Sequence, residues 1–376
     1  MTSTTDSEPS NTLFKDHFST LKEPRRTSKG NLIYPLEEIL FLTISAVISG
    51  CTAWITIAEF GRLKTDWLRK FYKYQNGTPS HDAISDLFSI LDSKLFGECF
   101  VNWVRAVADT TDSGVVAFDG KTVRGPGSDS RKYPLHIVTA FCTKNRISLG
   151  QESVEDKSNE ITAIPKLLDL LTLKGCIVTT DAMGCQKKIA EKIREKDADY
   201  ILQVKDNQKE LKEQIEKLYT LNTPVNIDLE TDFGHGRIES RKCEVITELT
   251  FLDGKEDWKD LRSVVRIESV REIKKTGAKT TEHRFYITSI KGDAKLVNNS
   301  IRSHWGIENN LHWNLDVIFK EDGQLKRKGN SAENFNIINK TALGLIENEK
   351  TVKMSKPLKR LRASLSDEYR EKIMKV

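Results

Sequence analysis

The sequence predicts an α/β protein with a mixed sheet, interrupted by a β-rich insertion and preceded by an all-helical N-terminal domain. Three observations carry that prediction. From 34 to about 108, apolar residues recur at spacings of three and four, as in Phe60, Leu63, Trp67, Leu68 and Phe71, which is the period of an amphipathic helix. From about 113 the pattern changes to short β-branched runs alternating with helical ones, in the order β-β-β-α-β-α-β. From about 207 to 280 a Lys/Glu-rich helix gives way to alternating runs such as "RKCEVITEL" and "RSVVRIESVRE", the signature of a β-rich insertion.

Taken in order, residues 1–28 are Ser/Thr-rich with few large apolar side chains, so a tail ordered at most around Phe14 to Leu21 is expected. A helical domain follows at 29–110. Its stretch "ILFLTISAVISGCTAWITIA" (39–58) is free of charge over the length that spans a bilayer. Five hydroxyl residues and Gly50 interrupt it, however, and Glu37, Glu38 and Glu59 flank it, which favours two buried helices meeting near Gly50 and Cys51 over a membrane span. "PSHDAISDLFSILD" opens on Pro79 and Ser80, a helix-capping pair.

The region 111–348 contains the strands. "SGVVAFDGKTVRG" is a strand ending in a charged turn, and "PLHIVTAFCTKNRISLGQESV" is two strands joined at Lys144 and Asn145. "NEITAIPKLLDLLTL" and "CQKKIAEKIREKDA" are helices on either side of the strand "CIVTTDAMG", and "DYILQVK" is the next strand. "HRFYITSI" (283–290) returns to the main sheet, and a helix carrying "HWGIENNLHWNLDVIFKED" (304–322) follows. The last segment, 349–376, is a basic tail, with eight cations against three acids from 351 onward.

With 376 residues, 38% of them hydrophobic, the chain has material for a real core. Its net charge of +5 permits nucleic-acid binding without demanding it. Six cysteines without a CxxC pair argue against a zinc ribbon and a disulfide framework, and the N-terminus lacks a secretory pattern, so a cytoplasmic protein is expected.

Two strands end in an aspartate, Asp119 in "VVAFDG" and Asp181 in "IVTTDAMG". Side chains just outside strand ends face the crevice where α/β sheets bind ligands. Singly, each is equally well a turn former or a helix cap. Glu308 on the later helix supplies a third carboxylate, and three carboxylates converging on two magnesium ions make a phosphoryl-transfer centre, because hard cations take oxygen ligands. His304, Glu308, His312 and Asp316 recur every four residues on one helical face. That spacing weakly suggests zinc, but three ligands in succession on a straight helix span about 12 Å, too far for one ion. Trp305 and Trp313 are expected as packing anchors, Glu321 and Asp322 as a solvated helix end, and Asp316 as the alternative to Glu308.

The combination of "FDGKTVRG", "TTDAMGCQ" and "RSHWGIENNLHWNLDVIFKED" resembles the DDE-type transposases of the H-repeat-associated, ISAs-type insertion-sequence family. The likeness extends through "YPLEEILFLTISAVISG", "PSHDAISDLF", "GHGRIESRKC" and "RKGNSAENF", and so covers about residues 24–348. Departures from the family pattern fall at Asp206, where glycine is usual, and at Gly323 to Leu325. The resemblance implies an RNase H-like core, with Asp119, Asp181 and Glu308 as catalytic residues and as ligands of two Mg2+ ions, for which Mn2+ would substitute. It implies phosphodiester hydrolysis at the ends of a mobile element and strand transfer into target DNA. The expected partners are double-stranded DNA, both inverted repeats and target, and further copies of the chain assembled on it, with no membrane.

Such a partner needs cations against its backbone. The candidates are Arg25 and Arg26, Lys121 and Arg124 beside Asp119, Lys187 and Lys188, His235 and Arg237, His304 and His312, then Lys326, Arg327 and Lys328. Two alternatives stand beside the transposase reading: a catalytically inactive DNA-binding relic, and a host nuclease with the same core.

Overall fold

A computed structural model describes residues 16–18, 20–26, 32–107, 114–124, 134–154, 159–234 and 236–375. His235 and most of the expected N-terminal tail lie outside the described residues. The helical region consists of α1 (Leu36–Ile48), α2 (Trp54–Leu63), α3 (Thr65–Leu68), α4 (His81–Ile90) and α5 (Ser93–Val107). The uncharged stretch breaks where expected. Gly50, at φ +98°, takes the left-handed turn that most side chains resist, and the chain reverses from α1 into α2.

Nearly all of α1 is buried, so its hydroxyls need internal partners. Thr43, Ser45 and Ser49 each donate to the carbonyl four residues back, at 2.7 to 2.9 Å. Among the described residues no helix is long and apolar enough to cross a membrane. Ser80 caps α4, its Oγ accepting from Ala83 N at 3.2 Å.

The sheet begins with β1 (Val115–Thr122), β2 (His136–Cys142) and β3 (Ile147–Ser153), followed by α6 (Glu160–Leu170), β4 (Ile177–Thr180), α7 (Lys187–Glu195) and β5 (Asp199–Val204). β1 to β3 pair antiparallel, whereas β1, β4 and β5 run parallel through helical crossovers. This is the mixed α/β arrangement that the order of runs predicts, and it is consistent with the RNase H-like core that the resemblance implies.

The next elements are α8 (Lys209–Leu221), β6 (Asn226–Gly234), β7 (Arg237–Ile246), β8 (Ser263–Ile273) and β9 (Lys279–Thr288). They do not form a separate β unit. β9 pairs antiparallel with β5, Leu202 opposite Ile287, and the strands continue one nine-stranded sheet in the order β3-β2-β1-β4-β5-β9-β8-β7-β6. The inner ends of β7, β8 and β9 are buried, which is why they join the core sheet, while their outer ends are polar and project as an arm.

After β9 come α9 (Ala294–His304), a π-helical turn at Glu308–His312, α10 (Trp313–Val317), α11 (Ser331–Asn348), α12 (Lys356–Leu365) and α13 (Asp367–Met374). The basic tail expected at 349–376 is mostly α12 and α13, and Lys359, Arg360 and Arg370 are buried in it. Arg360 donates to the carbonyls of Ile318 (2.6 Å) and Val47 (2.9 Å), and Arg370 lies 3.9 Å above the Trp67 ring. One apolar core joins these helices to the N-terminal ones and to Ile307, Leu311 and Leu315 around the π-turn.

Candidate active site

Asp119 lies within β1 and Asp181 directly follows β4. Because Phe118 pairs with Thr180 in the parallel register, the two aspartates leave neighbouring strands at the same level. Asp181 is oriented locally. Its Oδ1 accepts from the N–H groups of Met183 at 3.0 Å and Gly184 at 3.4 Å, and a Cβ on Gly184 would lie 2.6 Å from Thr180, so the turn is as tight as glycine permits.

Glu308 opens the π-turn, whose wide step is closed by the Trp313 N–H bonding to the Glu308 carbonyl. The turn brings both of its polar ends to Asp119. His312 Nδ1 lies 3.1 Å from Glu308 Oε2 and 3.5 Å from Asp119 Oδ2. The two partners differ in setting: the His312 side chain is 5% exposed and that of Glu308 60% exposed. Asp119 is the fixed inner member and Glu308 the one facing solvent.

Burial pushes the Asp119 carboxyl up to about 6; His312 opposes the rise, and Asp181, Glu160 and Glu308 add to it. Burial also raises Asp181, helped by Glu160 and countered by the two backbone N–H groups and Lys205. The hydrogen bond from His312 holds Glu308 below the usual carboxylate range, against its desolvation. Crowded, partly desolvated carboxylates of this kind disfavour joint ionisation without a cation among them. Asp119, Glu308 and His312 offer donor atoms that all lie within 4.8 Å of one another.

Glu160 escapes sequence reasoning because it reads as an ordinary acid in the first turn of α6. Only the fold places it behind Asp119, where it pairs with His136 at 2.9 Å across Gly120. A Cβ on Gly120 would lie 2.1 Å from Glu160 Oε1. No local signal in the sequence marks that contact.

The remaining candidates divide. Lys121 is held internally by Asp316 and, at 3.0 Å, by Glu321. Glu321 is buried rather than solvated, and Asp316 is engaged by Lys121 rather than replacing Glu308. Lys326 is also inside: its ammonium donates to Thr52 O at 2.6 Å and lies 3.7 Å from the centre of the Phe335 ring, which removes it from any DNA surface. His304 is half-buried, shares a 2.9 Å hydrogen bond with Thr179 Oγ1, and is pushed down to about 4 by burial and by His312. His312 is turned towards Asp119 and Glu308, and His304 towards Thr179.

Arg124, Arg327 and Lys328 are exposed, Lys328 pairing with Asp86 at 2.6 Å. Lys187 pairs with Asp257 at 2.6 Å, Arg237 with Glu239 at 3.1 Å and Arg25 with Glu23 at 2.7 Å. Trp305 and Trp313 are not packing anchors. They are 49% and 54% exposed, and the Arg284 guanidinium lies 5.2 Å over the Trp305 ring.

Trp305 lines a cleft of about 740 Å³ on the face of the β6–β9 arm that carries α9, together with Asn309, the residue next to Glu308. Arg146, Arg237, Arg241, Arg271, Arg284 and Arg302 line it. Most are neutralised by carboxylates, as in Arg271 with Glu239 at 2.9 Å and Arg302 with Asp232. Among the described residues Arg241, partly buried between strands, has no carboxylate within ion-pair distance.

Comparison with known proteins agrees with this architecture. The family described as "Transposase DDE domain" matches residues 110–345, and one described as "DDE_Tnp_1-associated" matches residues 15–104. "Putative transposase YncI" of Escherichia coli O157:H7 is 40% identical over 367 residues, 96% of this chain and 93% of that protein. "H repeat-associated putative transposase YhhI" of Escherichia coli K12 is 39% identical over 364 residues, 94% of this chain and 95% of that protein. A shorter relative from the same strain, "Inactive transposase YbfQ", is 38% identical over 74 residues, 20% of this chain.

Proposed function

Since the chain belongs to the DDE transposase family, we propose that it hydrolyses phosphodiesters at the ends of a mobile DNA element and joins the freed ends to target DNA. The observation that supports this reading is the parallel register of β1 and β4, which puts Asp119 and Asp181 at one level on neighbouring strands, with Glu308 close to Asp119. Two divalent cations, Mg2+ with Mn2+ as substitute, fit the oxygen donors of these three side chains. When bound, such ions activate the attacking oxygen and stabilise the leaving one.

The residues of the chain then have separate tasks. Asp119 and Asp181, fixed on adjacent strands and at a glycine-tight turn, hold the inner donors rigid. Glu308, on the solvent side, closes the site over a bound strand. The π-turn sets its reach. DNA is proposed to lie along the arginine cleft, with its phosphates entering between guanidinium groups already pre-oriented by carboxylates, and with Arg241 as the unpaired cation. Trp305, exposed in the lining of the cleft, offers a flat face to a base. The exposed Arg124, Lys187, Arg327 and Lys328 and the half-buried Arg237 remain candidate phosphate contacts.

The test is strand cleavage of DNA carrying the parent element's ends in the presence of Mg2+. Asp119→Ala, Asp181→Ala and Glu308→Ala should each reduce cleavage to background while DNA binding is retained. Cleavage at the wild-type rate in any one of them would remove that residue from the assignment. Cleavage of DNA lacking element ends at an equal rate would point to a general nuclease.

A further inference from the structure

We propose that His312 is itself a metal ligand, so that the cation position on the Glu308 side of Asp119 has a mixed nitrogen and oxygen donor set. The inference rests on the reading of Asp119 and Glu308 as cation ligands. The geometry is that of a coordination edge. With metal–ligand bonds of about 2.0–2.2 Å, neighbouring donors are roughly 3.0 Å apart in an octahedral site and roughly 3.5 Å apart in a tetrahedral one. His312 Nδ1 lies 3.1 Å from Glu308 Oε2 and 3.5 Å from Asp119 Oδ2.

The ring is held in that pose. His312 is 4% exposed and closes the π-turn, so its side chain has little freedom to leave. Among the described residues its other nitrogen, Nε2, is buried without a hydrogen-bond partner, so the ring's polar contacts there are with the two carboxylates.

Asp181 stands outside this trio, with its Oδ1 occupied by the Met183 and Gly184 N–H groups. The two sides of Asp119 are therefore chemically unequal. Asp181 offers oxygen alone, and the Glu308 side offers oxygen and imidazole. Imidazole binds transition-metal cations better than it binds Mg2+, which prefers oxygen and keeps its waters. The Glu308 side is thus the position at which Mn2+ is favoured over Mg2+.

A simple hydrogen bond between His312 and Glu308 would give similar separations, and spectroscopy distinguishes the two. Full-length protein loaded with Mn2+, unlabelled and with 15N-histidine, is examined by electron spin-echo envelope modulation. Coupling to a directly bonded nitrogen that changes with the label is the expected result. His312→Gln should abolish it and weaken Mn2+ binding by about tenfold or more, measured by calorimetry, with a smaller effect on Mg2+. Bound Mn2+ without a directly bonded nitrogen would overturn the inference and leave the carboxylate reading standing. Absence of Mn2+ and Mg2+ binding to the wild-type protein would overturn both. Should His312→Gln fail to fold, the labelled wild-type spectrum decides alone.

Discussion

Lys340 is 3% exposed, inside a helix that packs on the sheet, and its ammonium donates to Thr139 Oγ1 at 2.7 Å and Gln151 Oε1 at 2.8 Å. Burial pushes it down to about 7; Glu321 opposes that shift and Lys121 adds to it. In the unfolded chain the same group keeps its proton to about 10.5. Between those values the unfolded chain binds more protons than the folded one, so this residue makes stability rise with pH across that window. Below about 7 the lysine is charged in both states and the cost of burying it is felt in full. Lys340→Met removes the charge along with two hydrogen bonds. The expected result is that the melting temperature of the variant, relative to wild type, is level below about 7 and falls steadily as pH is raised from about 7 towards about 10. A difference that stays constant with pH would show that Lys340 is not titrating in this range.

Between elements, the ion cluster around Lys121 ties the end of β1 to α10 and to the turn that follows it. Glu321 is 2% exposed and also accepts from Asn336 Nδ2 of α11 at 2.7 Å, so three parts of the chain share one buried carboxylate. Removing the cation alone leaves that carboxylate buried and uncompensated beside Asp316. Lys121→Met should therefore cost about 3–5 kcal/mol in urea unfolding, with Lys121→Arg recovering part of it. A loss below about 1 kcal/mol would mean the cluster is solvated. The same cluster marks where sequence reading reaches its limit. The β-branched runs locate the strands of Asp119 and Asp181, but Asp119 does not end its strand as expected, since β1 continues to Thr122, and Glu308 sits in a π-turn that the regular helical spacing does not show. Lys121 and Glu321 are 200 positions apart. Without the fold, the first reads as a phosphate contact and the second as a solvated acid. Lys326 is misread for the same reason, since its cavity is assembled from Trp54 and Phe335.

Across the whole molecule, charge pattern and burial part company most clearly at the C-terminus. Eight cations against three acids look like an arm for phosphates, yet the apolar positions between them, Ala363, Tyr369, Ile373 and Met374, belong to the core that begins at Phe18. Long cationic side chains cover that core with their stems and satisfy buried carbonyls with their heads. Arg370 donates to Ala363 O at 2.7 Å, Ser45 Oγ donates to Met374 Sδ at 3.2 Å, and Tyr369 donates to Glu349 Oε2 at 2.8 Å. Ending the chain after residue 350 would therefore expose one side of α1, whose residues are almost all buried. The expected outcome is a lower melting temperature and a broader unfolding transition, with DNA affinity falling only as the folded fraction falls. Those two quantities separate the structural role from the electrostatic one. A truncated chain that melts like the full-length protein but binds DNA more weakly, with a shallower salt dependence, would return α12 and α13 to the phosphate-binding role that their charge suggests.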